Sequence, residues 1–143
     1  MMFLAFDAVA IVRAAVPFLS LLLILVLIHE FGHFLAAKAF GIKVLEFGIG
    51  FPPKAKTLFT KGGTEYSLNW LPIGGFVRLL GEEDPSDPRS LAAAPRWQRL
   101  TVMGAGVAMN LVLAVFLLSV GFMIPRERSL SMAQIVEVAQ GSP

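Results

Sequence analysis

Two long apolar runs divide the chain, and a stretch of alternating apolar and polar residues lies between them. The first run reads as one helix from Ala14 to Phe40, rich in leucine through Leu19, Leu21, Leu22, Leu23, Leu25 and Leu27. Pro17 falls in its first turns, where a missing N–H is tolerated. Gly41 is a natural stop, with Lys38 placed favourably for the helix dipole in the last turn. The second run, Leu100 to Ile124, carries no charge. Each run exceeds the roughly 20 residues that a membrane-crossing helix needs.

Between the runs, Lys43 to Phe51 reads as a strand closed by Pro52-Pro53. Thr57–Thr60 and Glu65–Trp70 flank Lys61-Gly62-Gly63, a hairpin signal. Pro72-Ile73-Gly74-Gly75 then turns the chain into Phe76–Leu80. These segments predict a small antiparallel sheet of three or four strands. The run Glu82 to Pro88 is acidic and proline-interrupted, which predicts a solvated loop, with a cation site as the alternative. Arg96 and Trp97 mark an interfacial approach to the second span. Beyond Arg126 the composition is that of a soluble segment, and Ala133–Val138 reads as a strand. The predicted class is a membrane protein, mainly helical with a small β element. Its parts are a first transmembrane helix (1–41), a connecting β-region (42–99), a second transmembrane helix (100–125) and a terminal segment (126–143).

Composition supports that class. Of 143 residues, 56% are hydrophobic, too many for an ordinary soluble globule. Twelve basic and ten acidic residues leave a net charge of +2, and no aromatic-basic interleaving points to nucleic acid. The chain has no cysteine, so disulfides and thiolate metal sites are excluded and any metal must be held by His and carboxylate. A cleaved signal peptide is the alternative for the first run, but the ionisable cluster described next would then lie in the discarded piece. Basic residues concentrate between the spans, at Lys43, Lys54, Lys56, Lys61, Arg78, Arg89, Arg96 and Arg99. Outside lie only Arg13 before and Arg126 and Arg128 after. This bias predicts a cytoplasmic connecting segment with both chain ends on the other side.

The chemistry sits in His29-Glu30-Phe31-Gly32-His33, inside the first apolar run. Two histidines four apart share one helix face one turn apart, which is zinc-ligand spacing. Glu30 can reach a water in an open zinc position and is the candidate general base. A carboxylate flanked by imidazoles in an apolar span is costly unless paired or metal-bound. A self-satisfied polar cluster, a proton relay or a chance match are the alternatives. His29 lies sixteen residues beyond Arg13, roughly 24 Å at about 1.5 Å per residue, so the cluster is expected several Å inside the far face of a core about 30 Å thick. The glycine-punctuated edges around Gly48, Gly50, Gly74 and Gly75 suit pairing with an extended peptide, or else pack beneath the helices. Gly104 and Gly106 allow close helix contact. Asn110, strongly polar in mid-span, orients substrate or a neighbour near the metal, or bonds another helix.

With these residues in view, the chain resembles the N-terminal part of the site-2 proteases, intramembrane zinc metallopeptidases, in the bacterial branch that degrades anti-sigma factors. The resemblance rests on His29-Glu30-Phe31-Gly32-His33, Phe47-Gly48-Ile49-Gly50-Phe51, Gly63-Thr64-Glu65-Tyr66-Ser67 and Leu71-Pro72-Ile73-Gly74-Gly75-Phe76-Val77. The family's Gly-Pro-x-x-Asn signature stands here as Gly106-Val107-Ala108-Met109-Asn110, with Val107 where proline is usual. The resemblance implies a multi-pass protein of the bacterial inner membrane, Zn²⁺ held by His29 and His33, Glu30 as base and a membrane-spanning protein substrate. It also implies a membrane-associated β-loop that guides substrate, and residues 135–143 as the opening of a PDZ-like domain. The family completes its zinc site with an Asp from a later transmembrane segment. Asp7 and Glu46, the nearby carboxylates apart from Glu30, match no such motif, so the sequence reads as a truncated piece. Two histidines alone would hold zinc weakly, and catalysis by this piece alone is not expected. Two other classes remain open: a membrane ion or proton conduit, and an inactive scaffold that binds peptides.

Overall fold

The computed structural model describes residues 8–125, in which two helices bracket a curled β-hairpin. The elements are α1 (Ala8–Ala39), β1 (Val44–Lys61), β2 (Thr64–Leu79) and α2 (Arg96–Met123). Asp7 and the terminal segment expected to open a PDZ-like domain lie outside the described residues.

Helix α1 begins earlier than the apolar run suggested. Val9 to Val12 extend that run, and Arg13 is a good helix former that does not interrupt it. Pro17 therefore lies inside the helix instead of in its first turns. The end follows expectation: Gly41 adopts φ 72°, and Ile42 N–H donates to the Ala37 carbonyl at 2.9 Å. Helix α2 starts at Arg96, directly after Pro95 at φ −53°, so the expected interfacial approach forms its first turn. Both helices are long and apolar enough to cross a membrane. Their outer faces are bare, with Leu111 67% and Phe122 88% exposed, as a lipid-facing surface requires.

The expected three or four short strands are instead two long ones. β1 and β2 form one antiparallel hairpin from Val44↔Leu79 to Lys61↔Thr64, turned by Gly62 and Gly63 at φ 58° and 74°. The segments read as strand ends, Pro52-Pro53 and Pro72–Gly75, are places where the ladder shifts register and the strands bend but continue. The hairpin thereby doubles back. The first half of β1 acquires partners on both edges, Phe47 meeting both Val77 and Tyr66, and Ile49 both Gly75 and Leu68.

Glu46 pins the doubled-back hairpin. Its carboxylate, with a side chain only 6% exposed, accepts from Ser67 Oγ at 2.7 Å and pairs with Lys54 and Arg78 at 2.9 Å each. Burial pushes its pKa up, but the hydrogen bonds from Ser67 and Lys54 and the charges of Lys54 and Arg78 outweigh it, so the group lies below its ordinary value of 4.5. A carboxylate with a depressed folded pKa stabilises fully above its unfolded value, and that contribution is lost as pH falls through the folded value. Lys54 and Arg78 are 40% and 56% exposed, so their charges are largely solvated and the buried hydrogen bond to Ser67 matters most. Glu46→Ala is expected to cost about 1–3 kcal/mol by leaving the Ser67 hydroxyl without its acceptor. Thermal unfolding in detergent would show the loss near neutral pH and its shrinking as pH falls through the folded value, where the contribution of the ionised form is lost.

The core lies where the C-terminal end of α1, the start of β1, the end of β2 and α2 meet, at Ala37, Ile42, Val44, Leu79 and Val102. Phe40 packs edge-on against Trp97, with ring centroids 5.1 Å apart. The acidic loop is laced to this core through the backbone. Lys43 N–H donates to the Arg89 carbonyl at 3.0 Å and Leu80 N–H to the Lys43 carbonyl at 2.9 Å. Its tip is exposed and closed on itself by Asp84, which accepts from the Ser86 backbone at 2.9 Å. Helices α1 and α2 pack closely at Gly32, where an added Cβ would collide with the Ala105 carbonyl.

Candidate metal centre

Helical geometry alone brings His29 and His33 together: the rings are edge-on with centroids 4.8 Å apart. What fixes their orientation comes from α2. His33 Nδ1 lies 2.6 Å from the Val102 carbonyl oxygen. That oxygen can only accept, so Nδ1 carries the proton and Nε2 keeps its lone pair for a metal. His29 Nδ1 lies 3.3 Å from Asn110 Nδ2. Both Nε2 atoms therefore face away from these partners and towards one small volume. A Cβ built on Gly106 would sit 2.5 Å from each of them.

This arrangement fits half of a divalent-metal site. Two imidazoles with a common Nε2 focus are donors that Zn²⁺ favours, and the Val102 carbonyl gives His33 the Nδ1 acceptor that supports such a ligand. Among the described residues, no group of three His, Cys, Asp or Glu is placed to hold an ion. Glu46 is committed to Ser67, Lys54 and Arg78 and stands apart from the centre.

Glu30 is held from the sheet side. Its Oε2 accepts the Val77 N–H at 3.1 Å, tying the carboxylate to β2. A cavity of about 460 Å³ opens beside it, lined by Glu30, His33, Val77, Glu82, Glu83 and Arg99 among others. Its walls are mixed, with Leu79, Leu91 and Met103 facing the polar and charged groups.

The candidate glycines serve close packing. A Cβ on Gly48 would fall on the Phe76 ring, and one on Gly50 would lie 2.5 Å from the Leu71 carbonyl. Gly74 abuts Phe51 and Val26, and Gly75 abuts Leu27 and the Gly48 carbonyl. Gly74 and Gly75 thus seat the sheet against α1 two to three residues before His29, while Gly48 and Gly50 sit within the doubled hairpin. Sequence reasoning left Asn110 between a role near the metal and a bond to another helix, and its amide lies against His29; it missed three contributors: the Val102 carbonyl, the Val77 N–H and the space at Gly106. Two are backbone atoms, which no side-chain motif reveals. The third had a signal, since Gly106 lies four residues before Asn110 on the same helix face.

Comparison with known proteins places the chain among peptidases. The sequence pattern described as Peptidase family M50 matches residues 17–140. Three relatives are each named "Putative zinc metalloprotease". That of Clostridium perfringens is 48% identical over 126 residues, covering 82% of this chain and 37% of the relative. That of Thermotoga maritima is 40% identical over 136 residues, covering 90% and 26%. That of Synechocystis is 37% identical over 148 residues, covering 91% and 40%. The chain thus spans between a quarter and two-fifths of the length of these relatives.

Proposed function

The chain belongs to peptidase family M50, and from that premise we propose that it forms the catalytic N-terminal portion of an intramembrane zinc endopeptidase. The observation that carries this reading is the convergence of both Nε2 atoms above Gly106, beside a carboxylate, in a helix with an apolar exterior. The substrate is a peptide bond in or beside a transmembrane segment of a membrane-bound regulator, an anti-sigma factor being the kind the sequence resemblance implies. The connecting β-region lies on the cytoplasmic side of the bacterial inner membrane, as the excess of basic residues there supports.

His29 and His33 would hold the ion, with a third ligand supplied from outside these residues. Bound there, Zn²⁺ supplies Lewis acidity, polarising the scissile carbonyl and making a water easier to deprotonate. Glu30 takes the proton of the attacking water and delivers it to the leaving amine. The Val77 N–H holds Glu30 in place for both transfers. The cavity walled by Glu82, Glu83 and Arg99 lets water reach the carboxylate from the side of the connecting segment. The bent edge of the sheet presents backbone groups beside Glu30, where an unwound substrate segment can pair.

Metal removal tests the reading. The full protein, purified gently, is expected to carry one zinc. Chelation should abolish cleavage of a membrane-spanning substrate, and added zinc should restore it. Protein that holds no zinc but still binds the substrate would be a scaffold. Ion flux in liposomes with substrate left intact would identify a conduit.

A further inference from the structure

We propose that α2 forms the second wall of the metal centre, with Gly106 providing the volume an ion fills and with Val102 and Asn110 holding the two histidines in their ligating orientation. This rests on the zinc-peptidase reading and assigns a positioning role to residues of the second helix.

Three observations carry it. Residues 102, 106 and 110 lie one turn apart on the face of α2 turned to α1, and each meets the histidine pair. Gly106 is buried, yet the space where its Cβ would project is bounded by His29 Nε2, His33 Nε2 and His29 Cδ2 at 2.5–2.6 Å. Any side chain at 106 would occupy the common focus of the two lone pairs. By contrast, a Cβ on Gly104 would meet nothing within 4 Å. Of the two glycines only Gly106 faces α1, and what it admits at close range is the pair of imidazole Nε2 atoms.

The third observation concerns Asn110. Its Oδ1 is buried and has no hydrogen-bond partner among the described residues, while its Nδ2 faces His29 Nδ1. A ring that gives its Nε2 lone pair to a metal carries its proton on Nδ1 and needs an acceptor there. The oxygen and nitrogen of a side-chain amide exchange places by a half-turn. With that half-turn Oδ1 accepts from His29 Nδ1–H, matching what the Val102 carbonyl does for His33. Val107 is 67% exposed on another side of α2, so valine in place of the family's proline leaves this wall intact.

The test is Zn²⁺ affinity, measured with the full protein in detergent by competition with a chromophoric chelator. Gly106→Ala is expected to weaken binding by about 100-fold or more, and Gly104→Ala to leave it unchanged. Asn110→Leu should weaken binding about 10–100-fold, the usual cost of losing an outer-shell partner. Asn110→Asp, which keeps an acceptor, should retain affinity. Circular dichroism of the metal-free variants checks folding; if Gly106→Ala fails to fold, the Leu and Asp variants at 110 decide. Normal zinc affinity in folded Gly106→Ala would overturn the proposal. So would Asn110→Leu that keeps its zinc but loses cleavage, since that places Asn110 on the substrate. If the unaltered protein binds no zinc, the peptidase reading itself fails; if it binds zinc and the variants match it, only the role of α2 fails.

Discussion

Glu30→Gln is expected to slow cleavage by about 10²–10⁴-fold, the range for losing a general base, while zinc stays bound. Gln matches Glu in shape, and its Oε1 can still accept the Val77 N–H, so the tether to β2 survives. The histidine rings depend on Val102 and Asn110 and not on Glu30. What disappears is the ability to accept a proton from water. The expected signature is therefore normal zinc content, near-normal substrate affinity and a collapsed turnover rate. Retained cleavage would remove Glu30 from the role of base. Lost zinc would instead make it a ligand, although among the described residues no group of three ligand side chains is brought together to hold an ion.

This separation of roles was partly legible in the sequence. The helix period places His29 and His33 together whatever surrounds them, so the pair and its neighbouring carboxylate could be read directly. The two apolar spans were equally plain. The Lys61-Gly62-Gly63 turn was legible too, because glycines can take the positive φ values found at 62 and 63. Strand count was not. Prolines and glycines at 52–53 and 72–75 mark both strand ends and strand bends, and only partners distant in sequence decide between them. Here Phe47 and Ile49 find partners on both edges, which keeps the hairpin whole. The buried cluster around Glu46 was invisible for a similar reason. Ser67, Lys54 and Arg78 converge on it only after the hairpin has doubled back. On the α2 side of the metal centre Asn110 and its helix-face neighbour Gly106 had a signal, whereas the Val102 carbonyl is a backbone atom that no residue type announces.

Gly32→Val should abolish cleavage and zinc retention together, which sets it apart from Glu30→Gln. Gly32 is buried where α1 meets α2, and a Cβ there would collide with the Ala105 carbonyl oxygen. It would also come within 2.9 Å of the Ala105 carbonyl carbon and 3.0 Å of Met109 Cβ. The main obstacle is backbone, so no rotamer change relieves it and the helices must separate. Overpacking of this kind costs about 1–3 kcal/mol, which a helix pair in lipid can survive. The metal centre cannot absorb it as easily. His33 follows Gly32 directly, and its 2.6 Å hydrogen bond runs to Val102 on the helix being displaced. His29 would be parted from Asn110 by the same movement. A misplacement of about 1 Å is enough to cost roughly 10²-fold in rate, and losing both outer-shell partners weakens zinc as well. The variant should therefore fold with a modestly lowered thermal midpoint, release zinc readily and show no cleavage. Met109→Ala added to it should restore little, because the Ala105 carbonyl remains in the way. Full recovery in that double variant, or wild-type activity in the single one, would mean that the contact at Gly32 does not set the distance between the histidines and α2.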